Sequence, residues 1–343
     1  MTSLTLSAIP IFTLALLLTA CNPEPIIYHQ DHYKGLSQPI IPSQPSTTKP
    51  KTAPKQIGHY SASKLTGAYA SSTGTRNFIR YMAKEHGFKQ NYLNGLFSQA
   101  RHLQSVVKLE TPSSKIKTSF VPSPGSWSRY RKKFLTTTHI NNGVKFWKKN
   151  ALTIQKASAT YHVNPEYIVA IIGVETFFGL NVGKTRTLDA LSTLAFHTKR
   201  RSKFFTSELE NFLLMTTEEN LEPRKVVGSW AGAMGLGQFM PSSFRRLAVD
   251  FNEDGKRDLW NPTDAIGSVA HYFSKSGWQF NKPVVTKTQQ KTSASTIKLS
   301  AYSGNEFWRT HPNFKVIKKY NHSNHYAMAV HQLSQAIKQR YQQ

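Results

Sequence analysis

Beyond about residue 75, apolar positions recur at helical spacing over most of the chain. Phe78, Ile79, Tyr81 and Met82 form one stripe and Tyr92, Leu93, Leu96 and Phe97 the next, with His86-Gly87 as the break between two helices. Further helical patterns run over about 143–162, 164–178, 186–196, 206–218, 241–250, 262–277 and 325–341. Strand-like alternation is scarce. Its main occurrence is about 283–300, where Val284-Val285-Thr286 and Ser295-Thr296-Ile297-Lys298-Leu299 are expected to pair as a small hairpin. The pattern predicts a mainly α-helical domain with a small β insertion, and no repeat of solenoid period.

Two N-terminal segments depart from this pattern. Leu4 to Ala20 is mostly apolar, interrupted by Pro10, and too short and too near the terminus for a membrane span. It reads as a signal peptide, residues 1–20, although no Lys or Arg precedes the apolar run. It ends in Leu18-Thr19-Ala20-Cys21, which resembles the bacterial lipobox, whose cysteine is acylated. Cys21 is the single cysteine, so no intrachain disulfide can form and the core must stabilise the fold unaided. Residues 21–72 are rich in Pro, Ser, Thr, Gln and Lys, as in Gln38-Pro39-Ile40-Ile41-Pro42, and are expected to be a disordered tether. As a coil of about 50 residues it would reach roughly 40 Å. The remaining 73–343 is read as one domain.

Composition narrows the partner. The 343 residues are 39% hydrophobic, enough for a substantial core, and carry 44 Lys and Arg against 18 Asp and Glu, a formal charge of +26. Such an excess favours a polyanion: nucleic acid, anionic lipid or a carboxylate-bearing polymer. No RNA-binding, zinc-finger or basic-zipper signature is present, so nucleic acid is set aside.

One helix carries a candidate acid. Asn164-Pro165-Glu166 is a helix start, with an N-cap Asn, Pro at the first position and an acid in the first turn. Ile168, Ile171 and Ile172 then define an apolar face on which Glu175 is the i+7 member. A carboxyl aimed at the core has its pKa raised by lost hydration, which keeps it protonated as a general acid requires. A structural glutamate paired with a buried Arg or Lys would leave the same signal.

Several motifs favour the acid. Glu175-Thr176-Phe177-Phe178-Gly179, then Val182 to Leu191, then Gly232-Ala233-Met234-Gly235-Leu236-Gly237-Gln238-Phe239-Met240-Pro241-Ser242, and finally Tyr320 to Val330, resemble in order the lysozyme-like lytic murein transglycosylases of the membrane-bound B type. The resemblance spans about 76–340 and implies a lysozyme-like helical fold with Glu175 as the catalytic residue. It also implies non-hydrolytic cleavage of the β-1,4 bond from N-acetylmuramic acid to N-acetylglucosamine, leaving a 1,6-anhydromuramic end. By the same resemblance Ser229, Met234, Gln238, Tyr320 and Asn321 line the sugar sites, and Tyr130, Arg131, Arg200 and Arg201 match family positions; from residue type alone Met234 and Phe239 read more readily as core than as contacts. Arg200 and Arg201 suit the carboxylates of a peptide stem, because guanidinium groups bind carboxylates bidentately, with a solvated surface run as the competing reading. Leu236 stands where the family more often has Tyr. Glycan strands are thus the expected partner, with attachment to the periplasmic face of the outer membrane through Cys21, since Asn22 is not the Asp that usually retains lipoproteins inside. Other cell-wall enzymes are further candidate partners.

Three readings follow: a lytic transglycosylase, a hydrolytic muramidase, or a non-catalytic peptidoglycan-binding lipoprotein. Hydrolysis usually needs a second carboxylate, and Asp189, Glu208, Glu210 and Asp264 lie in the same domain.

No cofactor is required for this chemistry, but one segment suggests a structural ion. Residues 250–261 read as an EF-hand loop, with Asp250, Asn252, Asp254, Asp258 and Asn261 at oxygen-ligand positions, Lys256 at the seventh position and Gly255 at the sixth for the turn. Asn261 replaces the usual bidentate Glu, and Lys256 and Arg257 repel a cation. Calcium is therefore expected to bind weakly, at about millimolar affinity. His322, His325 and His331 have no HExxH context and are not read as metal ligands.

Overall fold

The computed structural model describes residues 55–111, 124–290 and 293–343, so the expected signal peptide, Cys21 and most of the expected tether lie outside the described residues. The described residues all fall in one unit, 46–343. Its helices are α1 (Thr73–His86), α2 (Gln90–Ser98), α3 (Gln104–Glu110), α4 (Ser126–Arg131), α5 (Thr137–Lys149), α6 (Ala151–Tyr161) and α7 (Pro165–Thr176). Then come α8 (Thr187–His197), α9 (Ser202–Glu218), α10 (Pro241–Leu247), α11 (Pro262–Lys275), α12 (Pro312–Tyr320) and α13 (Asn324–Tyr341). Two-residue strands β1 (Thr185–Arg186) and β2 (Val227–Gly228) pair with each other, and β3 (Val285–Thr288), β4 (Thr296–Ala301) and β5 (Gly304–Thr310) form a second sheet. The fold is mainly α, as the periodicity predicts.

Helix α7 is its centre. Every residue from Glu166 to Val174 is buried, with α5, α6, α11 and α13 packed around it. Close approach depends on small residues: a Cβ at Gly173 would sit 2.6 Å from the Phe178 ring, and one at Gly143 on α5 would sit 2.4 Å from Ile337 on α13.

Four boundaries differ from the sequence reading. The single helix expected over 143–162 is α5 and α6, broken at Asn150, whose side-chain amide donates to the Phe146 carbonyl at 2.8 Å and competes with the helical ladder. The expected hairpin is also wrong in its pairing. The segments at 285–288 and 296–301 do not pair with each other; both pair with β5, which lies between them and was not anticipated. β4 and β5 are the true hairpin, turning at Tyr302-Ser303 into Gly304 at φ 115. Helices α3, α4 and α12 span only 7, 6 and 9 residues, too few turns to show a period. Finally, packing begins before residue 73. Tyr69 is fully buried, Tyr60 and Leu65 pack on the core, and the Tyr92 hydroxyl donates to the Ile57 carbonyl at 2.8 Å.

Candidate active site

Glu175 lies in the last turn of α7, and the way that helix ends sets its environment. Phe177 and Phe178 both take left-handed backbone conformations, φ 52 and 61, and close the turn through Phe177 N–H to the Gly173 carbonyl and Phe178 N–H to that of Ile172. Bulky residues pay about 1–3 kcal/mol each for this conformation. The rings hold it: Phe178 packs on Gly173 and Phe146, and Phe177 meets His139 edge-on at 4.7 Å. Glu175 is therefore not one member of a single buried face. α7 is buried on all sides, and Glu175 emerges at its end, only partly covered.

Burial pushes the Glu175 carboxyl up to about 7, opposed by one hydrogen bond. That bond comes from the buried Tyr326 hydroxyl, which donates to Oε1 at 2.5 Å from the first turn of α13. Sequence reading placed Tyr326 inside a motif but gave it no role. Burial and the nearby Glu175 hold the phenols of both Tyr320 and Tyr326 well above their ordinary range, so each remains a donor.

The glycine-rich segment is fastened to this acid by the residue after it. The buried Thr176 hydroxyl is shared between the carbonyls of Ile172 (3.1 Å) and Leu236 (3.0 Å), and accepts from Gly179 N–H at 3.0 Å. Thr176→Val would leave the Gly179 and Leu236 groups unpaired in a buried site, at a cost of about 2 kcal/mol or more. Thermal unfolding should then fall by roughly 5 °C. An unchanged melting temperature would remove Thr176 as the tie.

Around that tie the other residues assemble. Tyr320 donates to the Gly237 carbonyl at 2.6 Å. Gln238, at φ 52, spends its amide nitrogen on the carbonyls of Val182 (3.2 Å) and Gly235 (2.9 Å), which leaves its side-chain oxygen to accept from a ligand. Ser229 Oγ accepts from Ala233 N–H at 3.0 Å and keeps its own proton to donate. Tyr130 lies tilted against His325 (5.5 Å between centroids) and close enough to raise the Tyr326 phenol pKa. Glu175, Gln238, Tyr320 and Tyr130 are thus linked through Tyr326, Thr176 and the 235–238 segment, with Ser229 on the preceding turn of the same glycine-rich stretch.

Other expected site residues are buried or engaged within the chain. Met234 is fully buried and bridged through its backbone to Phe239, in keeping with the core reading of this residue. Arg200 and Arg201 do bind a carboxylate, but it is the chain's own: Arg201 grips buried Glu110 through two nitrogens (3.0 and 2.6 Å) and Arg200 adds a contact at 3.1 Å. Glu110 carried no sequence signal, being one acid in a seven-residue helix. Asn321 is exposed, its side-chain oxygen accepting from Ser323 N–H in the turn before α13. Leu236 is buried under Gly179.

The four acids that sequence offered as a second carboxylate are bound elsewhere. Asp189 holds Arg101 N–H and Arg186. Glu208 accepts from Ser242 through both backbone and hydroxyl. Glu210 accepts from Tyr81 and His86, and Asp264 from the backbone of Phe251, Asn252 and Asp258. It is burial, not a neighbouring carboxylate, that raises Glu175.

The loop at 250–261 keeps the shape expected of it but turns its oxygens inward. Asp250 accepts from Asp254 and Gly255 N–H, Asp254 from Lys256 N–H and the Asn252 amide, and Asp258 from Trp260 N–H. Asn261, at the twelfth position, caps α11 by accepting from Thr263 N–H at 2.9 Å. Gly255, at φ 86, makes the turn. Among the described residues no three His, Cys, Asp or Glu side chains converge as a metal cluster. His331, lowered to about 4 by burial, bonds the Tyr167 hydroxyl at 2.8 Å.

With this geometry in view, the chain can be compared with known proteins. The Transglycosylase SLT domain matches residues 70–335. The membrane-bound lytic murein transglycosylase B of Escherichia coli (strain K12) is 40% identical over 363 residues, 96% of this chain and 97% of that protein. Structures of the Escherichia coli lytic transglycosylase Slt35, in complex with bulgecin A and with calcium, are 42% identical, each covering 82% of this chain and 97% of that one, with TM-scores of 0.74 and 0.75. Pseudomonas aeruginosa SltB3, in complex with NAG-NAM-pentapeptide, is 26% identical over 77% of this chain and 78% of its own, with a TM-score of 0.64. Matched along nearly its whole length, and with its acid, tyrosines and glycine-rich loop drawn into one cleft, the chain belongs to the SLT-domain lytic murein transglycosylases.

Proposed function

We propose that this chain cleaves peptidoglycan strands without water, Glu175 serving first as acid and then as base. The observation that carries the reading is a solitary, partly covered carboxyl poised at about 7, with the other candidate acids bound elsewhere. Protonated Glu175 gives its proton to the glycosidic oxygen as the C1–O bond breaks and an oxocarbenium-like centre forms. The carboxylate, held by Tyr326, then takes the proton of the sugar's C6 hydroxyl while that oxygen bonds to C1. The proton count closes and no nucleophilic carboxylate is needed. Gln238, through its side-chain oxygen, and Ser229 would hold an N-acetyl group, with Tyr320 and Tyr130 as neighbouring contacts. The peptidoglycan fragment bound by SltB3 supports the substrate class. Mass spectrometry of digested sacculi tests the reaction: fragments lighter by one water are expected, and normal reducing ends would instead mean a hydrolase.

Attachment follows from the N-terminal sequence. Among the described residues no helix is long and apolar enough to cross a membrane, and the Escherichia coli relative is named as membrane-bound. Acylated Cys21 would supply the anchor, Asn22 would direct the protein to the outer membrane, and the Pro- and Ser-rich segment that follows would give the domain reach. In fractionated cells the parent should enter the outer membrane and Cys21→Ala should become soluble; equal solubility of the two excludes the anchor.

Calcium belongs to the same proposal as a weak structural ligand of Asp250, Asn252, Asp254, Asp258 and the Lys256 carbonyl. Four side chains with suitable oxygens are present, but Asn261 would have to leave its cap to complete the set. Millimolar calcium should raise the melting temperature by a few degrees at most and leave the rate unchanged. Micromolar affinity, or activity lost on chelation from a folded enzyme, would contradict this.

A further inference from the structure

The positive charge is unevenly placed. From Thr111 to Pro165 the chain has no Asp or Glu, and from Ala265 to Gln343 it has only Glu306. These two stretches supply α4, α5, α6, β3, β4, β5, α12 and α13. They also pack on one another, α4 against β4 and α13, and α13 against α5 and α12. Among the described residues of these stretches Lys156 and Lys338 pair with an acid, Glu253 and Glu166, whereas elsewhere Arg245 and Arg257 pair with Glu218 and Glu219, and Arg200 and Arg201 share Glu110. One wall of the Glu175 cleft is therefore built from chain nearly free of acids, with Tyr130 from α4, Tyr320 from α12 and Tyr326 from α13.

At the edge of that wall α4 runs out into Arg131, Lys132 and Lys133. All three are exposed, and among the described residues no carboxylate forms an ion pair with any of them. They ride on a closed turn, in which Lys132 N–H donates to the Ser128 carbonyl (3.1 Å), Lys133 N–H to Tyr130 (3.1 Å) and Phe134 N–H to Arg131 (3.0 Å). The Lys133 ammonium sits 5.7 Å from the Tyr130 ring centroid, which ties the cluster to the cleft. Three adjacent like charges repel one another, and an anion laid across them relieves that repulsion. Meanwhile Arg200 and Arg201, the residues expected to take peptide carboxylates, already hold Glu110.

We infer that Arg131, Lys132 and Lys133 form a carboxylate-binding rim on the Glu175 cleft that holds the anionic peptide stems of the glycan. This rests on the reading of the substrate given above. Nearness to Tyr130 favours substrate over anionic lipid headgroups, the competing class.

The test compares the full chain carrying Glu175→Gln, so that the polymer stays intact, with the same chain also carrying Arg131→Gln, Lys132→Gln and Lys133→Gln. Both are co-sedimented with intact sacculi, with sacculi whose carboxylates have been amidated with methylamine, and with phosphatidylglycerol vesicles. On intact sacculi the rim variant should bind roughly three- to tenfold more weakly at low salt. On amidated sacculi the two should bind alike. Equal affinity on intact sacculi, the same loss on both forms, or a loss confined to vesicles would each overturn the inference. Failure of the parent enzyme to yield anhydro ends would sink the reaction but leave this comparison standing, so the two readings fail separately.

Discussion

Glu175→Gln should lower the rate of glycan cleavage by about a thousandfold or more while leaving the fold and glycan binding intact. The amide has nearly the shape of the acid and can still meet the Tyr326 hydroxyl through its oxygen, but it has no acidic proton for the leaving oxygen. General acid–base catalysis contributes about 10²–10⁴-fold, and a site in which one group performs both transfers belongs at the upper end. A stability signature should accompany the loss. In the native protein burial raises the Glu175 pKa from 4.5 to about 7, so the folded state binds this proton more tightly than the unfolded chain does. That contribution is fully present below pH 4.5 and is lost as pH rises through 7. Glutamine does not ionise, so the variant should melt above the parent on the alkaline side and match it near pH 4. Residual activity above a tenth of the parent rate would remove Glu175 from the mechanism. Parallel melting curves across this range would mean that the carboxyl is not poised by burial.

How much of this was legible beforehand depended on the kind of signal. The start of α7 was readable because Asn164 and Pro165 are local chemistry, and its end was blurred because two phenylalanines in left-handed conformations violate propensity and are held only by tertiary packing. Glu175 was found, though for a partly mistaken reason: its neighbours are apolar because the whole helix is central, not because one face is. The pairing of β3 and β4 with β5 could not be read from two short alternating runs, since strand order is a long-range property. Arg200 and Arg201 show the limit of residue type as a guide. Their bidentate chemistry was anticipated correctly, but Glu110 lies about ninety positions away in sequence and gave no local hint. Met234 and Gln238, four residues apart, separate into core and cleft because the bridge between Met234 and Phe239 folds the loop back on itself.

Tyr326→Phe should slow cleavage by roughly 10- to 100-fold and move the alkaline limb of its pH profile upward. The Tyr326 hydroxyl donates at 2.5 Å to Glu175 Oε1 and is the one influence that holds the acid's pKa down against burial. Without it the folded pKa rises above about 7, so more of the enzyme carries the proton at neutral pH. If ground-state protonation limited the reaction, the variant would be faster. The bond matters more once the proton has left, because a hydrogen bond to a charged acceptor contributes about 1.5–3 kcal/mol. It stabilises the carboxylate that develops as the glycosidic bond breaks and that must next accept the C6 proton. Losing it penalises the transition state more than the ground state, so kcat falls while KM changes little. Tyr326 is thus a positioning residue whose effect runs through Glu175, and a purely structural role would lower stability without moving the pH profile. Comparing kcat against pH for the two proteins separates these cases: a limb that stays in place, or moves to lower pH, would show that the hydroxyl does not govern the acid.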